Sequence, residues 1–427
     1  MAAYWLKGAR VVDPANDIDK ITSVFVDGGK IAAIGRAPAD FVADETFDLG
    51  GQVLIPGMVE LGARLREPGY EHKATISSEC KAAAAGGFTS VCCTPDTLPV
   101  IDNASVVDHI RQRAGRARAA RVLCLGALTQ GLDGSVLGEM RALKESGCVA
   151  VTNADRAIGD TSVLRHALAY AATFEMTVFL HPLDAWLTRA GAMHEGAVST
   201  RLGLPGIPEA QELIAISRDL VLVEETGVRA HFCRLSSARS IALINRARRA
   251  GLPVSADVAI ANLLFIDRDV GSYDANFHVR PPLREARDRT RLKSAVRKRE
   301  IDAVCGNHEP HDKDAKATPF GTSASGMSTF DTFLPALLSL VDDGAFDLAT
   351  AVDAASVAPS RILGLASGAL SPGAPADICV FDPAIEWVAS ANELQSAGKN
   401  TPFLNRTLRG RTTMTLVDGR IVYQLDA

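Results

Sequence analysis

The feature that most constrains this chain is an alternation sustained through its middle, in which short apolar runs are separated by longer helix-like stretches. The runs are Leu54 to Glu60, Thr89 to Cys93, Arg121 to Leu125, Cys148 to Thr152, Thr177 to Leu180, Val228 to Cys233, Pro253 to Val258 and Ile301 to Cys305. Continuous rather than alternating hydrophobicity marks strands buried on both faces, and parallel strands need crossovers of helix length. Eight such units predict an α/β fold, a (β/α)8 TIM barrel. With 427 residues, 47% of them hydrophobic, the chain can bury a barrel and a smaller module besides.

Both ends have a different texture. Asp27-Gly28-Gly29 separates the apolar runs Ser23 to Val26 and Lys30 to Ile34, a strong hairpin signal. Ala376 to Phe381, Thr412 to Leu416 and Val417 to Tyr423 repeat that character near the other end. The expectation is one small β-sandwich module assembled from residues 1–55 and 366–427, flanking a barrel of residues 56–365. The Ala-rich helix Lys81 to Ala85 should stop at Gly86-Gly87.

Charge narrows the partners. Forty-five Lys and Arg against 50 Asp and Glu give a net charge of −5, which offers no reason to expect nucleic acid or an anionic membrane. The basic clusters Arg246 to Arg249, Arg297 to Arg299 and the run Arg111 to Arg121 are expected to satisfy helix C-termini. The amino terminus shows no signal-peptide pattern, and no stretch approaches about 18 apolar residues. The eight cysteines lack zinc-site spacing and disulfide-scaffold density, so a cytoplasmic protein with reduced, buried thiols is expected.

The segment Ile55-Pro56-Gly57-Met58-Val59-Glu60-Leu61-Gly62-Ala63-Arg64-Leu65-Arg66-Glu67-Pro68-Gly69 resembles the opening barrel strand of dihydroorotases, PG(F/M)VD-(V/L)-HxHxREPG. Cys93 to Pro99, Gly196-Ala197-Val198, Phe277 to Arg284 and Lys399 to Phe403 extend the likeness over nearly the whole chain. The resemblance implies a metal-dependent cyclic amide hydrolase fold of the amidohydrolase superfamily. In such enzymes a divalent ion polarises a carbonyl and generates hydroxide, with an Asp as proton shuttle.

Most of the residues that the resemblance calls for are missing. Gly62 and Arg64 stand where the two histidines of the HxH pair belong. Asn153 falls at the carboxylate ligand of the fourth strand, in a register open by one or two residues that leaves Asp155 as the alternative at the centre. His181 is kept after the fifth. In His231-Phe232-Cys233-Arg234-Leu235-Ser236 the ligand histidine has become Arg234, and in Gly306-Asn307-His308-Glu309-Pro310-His311 the ligand and general base is the amide Asn307. Of six ligand positions only His181 survives. One arginine 4 Å from a divalent ion costs roughly 8 kcal/mol at an effective dielectric near 20, so zinc is expected to be absent. An amide cannot take a proton from water, so no catalytic residue is expected.

On the substrate side the resemblance assigns Arg66 to the arginine that forks a substrate carboxylate. Asp96 and Arg280 fall at substrate asparagines, and His308 belongs to the same vestigial pocket. Arg64 and Arg234, facing Asp96, Glu60 and Asp155, are expected to fill the vacated space with ion pairs.

The pattern of losses looks most like the pseudo-dihydroorotases of bacterial pyrimidine synthesis. That likeness implies a silent homodimer within a larger hetero-oligomer, bridging and activating the catalytic chains of aspartate carbamoyltransferase. Two other readings are a working dihydroorotase or related cyclic amide hydrolase with a site rebuilt around Asp155, His181 and His231, and a sensor in which Arg64, Arg66, Arg234 and Arg280 cradle an anion.

Overall fold

The computed structural model describes residues 2–188 and 191–426. Eight strands form the barrel in sequence order: β1 (Met58–Ala63), β2 (Phe88–Cys93), β3 (Arg121–Ala127), β4 (Ala150–Thr152), β5 (Thr177–Leu180), β6 (Ala230–Phe232), β7 (Val254–Ala259) and β8 (Ala303–Cys305). Neighbours pair in parallel, with helices between them. No helix among the described residues is long and apolar enough to cross a membrane.

The run Leu54 to Glu60 proves to be two strands. Val53–Pro56 pairs antiparallel with Ile378–Val388, and the chain then enters β1. Gly57 permits the change of sheet, because a Cβ there would meet the Thr89 side chain at 2.1 Å. The strand β1 closes on β8 largely through one side chain. Glu60, fully buried, accepts from the backbone N–H of Gly306 at 2.6 Å and of Asn307 at 3.2 Å, while Arg64 N–H donates to His308 C=O at 2.9 Å. Glu60 is therefore a seam residue and pairs with neither arginine. Burial pushes its carboxyl up to about 7 against the pull of the Gly306 and Gly62 N–H groups.

The terminal segments share a second eight-stranded sheet, ordered Arg420–Gln424, Thr407–Val417, Ile378–Val388, Val53–Pro56, Tyr4–Asp13, Ile18–Asp27, Lys30–Ile34, with Glu45–Asp48 added on Tyr4–Asp13. Its inner side encloses its own core, including Leu6, Val24, Ile31, Leu54, Ile378 and Leu416. The hairpin turn is Gly28-Gly29, both at positive φ (56° and 82°), the conformation a two-residue turn requires. Helix Ile76–Ala85 starts with a Thr75–Ser78 capping box and ends at Gly86, followed by Gly87 at φ 88°.

The basic cluster ending helix Ala238–Arg249 ties elements together. Arg248 donates to the carbonyls of Val254 (3.2 Å) and Glu300 (2.9 Å) and pairs with Asp302.

Candidate functional site

The carboxyl ends of β1, β4, β6 and β8 each carry a non-glycine residue in the left-handed region: Arg66 (φ 66°), Ala154 (49°), Arg234 (57°) and Asn307 (50°). Each costs on the order of 1–2 kcal/mol and bends the chain sharply where a strand ends. In consequence Arg64, Asp155, Arg234 and Asn307 converge over the barrel axis.

Asp155 is the hub. One carboxylate oxygen receives Arg64 Nη2 and the other receives Arg234 Nη2 at 2.9 Å, with His181 Nδ1 against the same oxygen. Arg64 Nε reaches Asp96 Oδ2 at 2.7 Å, and its Nη1 lies 3.3 Å from Glu309 Oε2. Arg234 Nη1 donates to the amide oxygen of Asn307, whose Nδ2 donates to Arg280 C=O at 3.1 Å. Both guanidinium groups are buried, Arg64 5% and Arg234 8% exposed. Burial alone would raise Asp155, yet Arg234, Arg64 and His181 hold it well below the carboxylate range. Burial, helped by Arg234, pushes His181 down against the opposing pull of Asp155.

Several expected positions are corrected. Asn153 lies off the centre, where its amide accepts from Thr129 Oγ1 (2.7 Å) and donates to Arg156 C=O (2.9 Å); Asp155 occupies the central place. His308 does not line a pocket. Its Nδ1 accepts from the backbone of Thr329 (3.0 Å) and Phe330 (3.3 Å), which places the proton on Nε2 for Glu79 (2.8 Å), and its ring stacks on Phe330. The four-arginine cradle is not formed either. Arg64 and Arg234 are closed on carboxylates, and Arg66 is tied to Pro310 C=O (2.9 Å) and Glu309 Oε1 (3.1 Å). Arg280 alone of the four has no ionic partner among the described residues, and its Nε is buried without an acceptor.

Nor does the arrangement join Asp155, His181 and His231 into a ligand set. The group of possible metal-binding side chains found among the described residues is His231, Cys233 and Asp257, all buried. There His231 is satisfied on both sides, by Asp257 Oδ2 at 2.9 Å and Ser255 Oγ at 2.8 Å. Around Asp155 the donor set does not suit a divalent ion, because two permanently charged guanidinium groups hold both carboxylate oxygens. Two cavities touching this cluster measure about 30 and 20 Å³, enough for a water and far below the roughly 300 Å³ of ordinary ligand sites.

Glu309 and Glu79 were not anticipated. Glu309 lies between His308 and Pro310 in the segment Gly306 to His311, at a position to which the resemblance assigns no role; burial raises its carboxyl, but Arg64, His311 and Arg66 bring it far below the usual range. Glu79, fully buried on helix Ile76–Ala85, accepts from Ser396 Oγ (2.6 Å) and Ala397 N–H (3.0 Å) as well as His308. Its replacement by Ala is expected to cost about 3 kcal/mol, because the buried donors of His308 and Ser396 and the less buried ones of Ala397 and Ser78 lose their acceptor, with Gln recovering part of the loss. Urea midpoints of the two variants measure this, and equal midpoints with the parent would refute the role.

A family profile described as Dihydro-orotase-like matches residues 51–240. The chain is 46% identical over 416 residues to a "Dihydroorotase-like protein" of Pseudomonas putida, spanning 97% of this chain and 98% of the relative. It is 44% identical over 419 residues to a protein of the same name from Pseudomonas aeruginosa, spanning 98% and 99%. A "Dihydroorotase" of Syntrophus aciditrophicus is 40% identical over 422 residues, spanning 99% of each. Among solved structures, the L-hydantoinase (dihydropyrimidinase) from Arthrobacter aurescens superposes with a TM-score of 0.88 at 22% identity, covering 99% of this chain and 96% of that one, which speaks for the fold alone.

Proposed function

The chain belongs to the dihydroorotase-like family, and we propose that within it this protein is a non-catalytic subunit of pyrimidine biosynthesis that scaffolds and activates aspartate carbamoyltransferase. The observation that carries the non-catalytic half is the closure of Arg64 and Arg234 on Asp155. Guanidinium groups stand where the hydrolytic mechanism needs neutral ligands, and the residue in place of the base is an amide engaged with Arg234. On this reading the protein holds no zinc, and no residue of the cluster acts as acid, base or nucleophile.

The partner half rests on the resemblance to silent members of the family. An intact barrel behind a disabled centre is what an assembly subunit needs, since association depends on surface and core while catalysis depends on a few loop residues. The protein would act as a homodimer inside a larger hetero-oligomer with the carbamoyltransferase catalytic chains.

The relative named dihydroorotase at 40% identity supports a second reading, an active cyclic amide hydrolase. That reading needs the Arg64–Asp155–Arg234 cluster to open. The deciding experiment has two parts. Elemental analysis of protein purified with zinc and without chelator should give less than about a tenth of an equivalent, against the one or two that a catalytic site retains, and dihydroorotate should not be turned over. Mixing with aspartate carbamoyltransferase of the same organism should give one co-eluting species with raised carbamoyltransferase activity. Turnover would overturn the silent reading, and separate elution would overturn the partnership.

A further inference from the structure

The arginine-rich run Arg111 to Arg121 finds only part of its explanation in the helix it ends. Helix Ala104–Ala117 stops at Arg118 in the left-handed conformation (φ 50°), and the chain then enters β3. There it borders a cavity of about 340 Å³ at the amino ends of the barrel strands, opposite the end that carries Asp155. Four arginines line this cavity: Arg111, Arg118, Arg121 and Arg420, the last delivered by the carboxy-terminal hairpin of the other module.

Their neighbours account for the four unequally. Arg121 is neutralised by Asp377 (2.8 Å) and Asp418 (2.7 Å). Arg111 lends Nη1 to Ser146 C=O at 2.9 Å and keeps the rest of its fork. Arg118 and Arg420 make no side-chain hydrogen bond or ion pair among the described residues. Cations on the last turn of a helix offset its negative pole, but that does not account for Arg420, which comes from a different element. The remaining wall combines Ala114, Ala119, Val122 and Val417 with the carboxylate of Asp418, whose charge is engaged by Arg121. The result is a concave positive patch on a chain whose net charge is −5. Concavity and low-dielectric walls concentrate such a field, and the volume sits at the lower end of small-ligand sites.

We propose that this cavity binds a small molecule carrying a diphosphate group. The Arg118 and Arg420 forks take the phosphate oxygens, Arg111 adds a third cation, and the apolar part of the wall receives whatever the diphosphate is attached to. The site is independent of the proposed loss of hydrolase chemistry, since it shares no residue with the Asp155 cluster.

The test is isothermal titration of the full-length protein at low ionic strength with two probes, inorganic diphosphate and ADP. Saturable one-site binding is expected. The double variant Arg118→Gln/Arg420→Gln, both residues being exposed, should weaken it by about tenfold or more, because two charge-assisted forks are lost. The control Arg36→Gln/Arg201→Gln makes the same change in net charge at exposed positions outside the cavity and should leave affinity within about twofold. Tighter binding of ADP would identify a nucleoside phosphate as the source, and equal binding would identify free diphosphate. Absence of saturable heat with both probes, or equal weakening in the two double variants, would overturn the site. So would loss of a co-eluting protein in the first double variant without any anion binding by the parent, since the patch would then dock an acidic chain.

Discussion

Arg64→Ala should be the most damaging single substitution in the barrel mouth, lowering stability by about 3–5 kcal/mol. The guanidinium is buried and bridges three carboxylates, Asp155, Asp96 at 2.7 Å and Glu309 at 3.3 Å. Deleting it leaves three partly buried carboxylates without the cation they share. The loss should also depend on pH. Arg64 is among the groups that hold Asp155 and Glu309 far below their ordinary range against the upward push of burial. A carboxylate lowered in the folded state contributes stability that is fully present above about pH 4 and disappears as pH falls through the folded value. The gap between parent and variant is therefore widest near neutrality and narrows in acid. Chemical denaturation at pH 7 and at about pH 2.5, below the ordinary carboxylate range, measures both. A variant as stable as the parent at pH 7, or a gap that grows in acid, would show that the arginine does not organise this centre.

What the sequence made legible follows the same physics. The strands of the barrel stand out because burial on both faces leaves unbroken apolar runs, so β2, β3 and β5 lie almost where the pattern puts them. The division of Leu54 to Glu60 into two strands leaves no mark in hydrophobicity, since Val53–Pro56 and the first residues of β1 are all buried. Only the tight approach of Gly57 to Thr89 separates them. For the site, Arg64, Arg234 and Asn307 come together over the barrel axis, each following a strand within a recognisable motif. The resemblance leaves the fourth carboxylate open between residues 153 and 155. Ala154 takes the left-handed conformation and carries Asp155, not Asn153, over the axis, and a two-residue shift of that kind is a backbone property with no residue signature at alanine. His308 went astray for a different reason: motif membership says that a side chain sits near the site, whereas its direction toward Glu79 depends on helix Ile76–Ala85 packed behind the strand.

Rebuilding the centre should be possible with four substitutions, Gly62→His, Arg64→His, Arg234→His and Asn307→Asp. His181 and Asp155 already stand in place, and the left-handed backbone at Arg234 and Asn307 still aims those positions inward. At Gly62 a Cβ meets only Thr94 Cγ2 at 3.8 Å, an ordinary contact, and no positive φ opposes a side chain. Removing two arginines and adding one carboxylate makes the pocket anionic, so the apo variant should be destabilised and a divalent ion should restore what was lost. The expected result is about one equivalent of zinc per chain, with a melting temperature that rises with zinc concentration, where the parent shows neither. Dihydroorotate hydrolysis should stay weak or absent even then, because Asp96 and Arg280 still occupy the positions that the resemblance assigns to substrate-binding asparagines. A folded variant that takes up no zinc would mean that the strand ends have drifted from a ligating geometry. Strong zinc uptake by the parent would instead mean that the arginines swing aside, which would remove the basis of the silent reading.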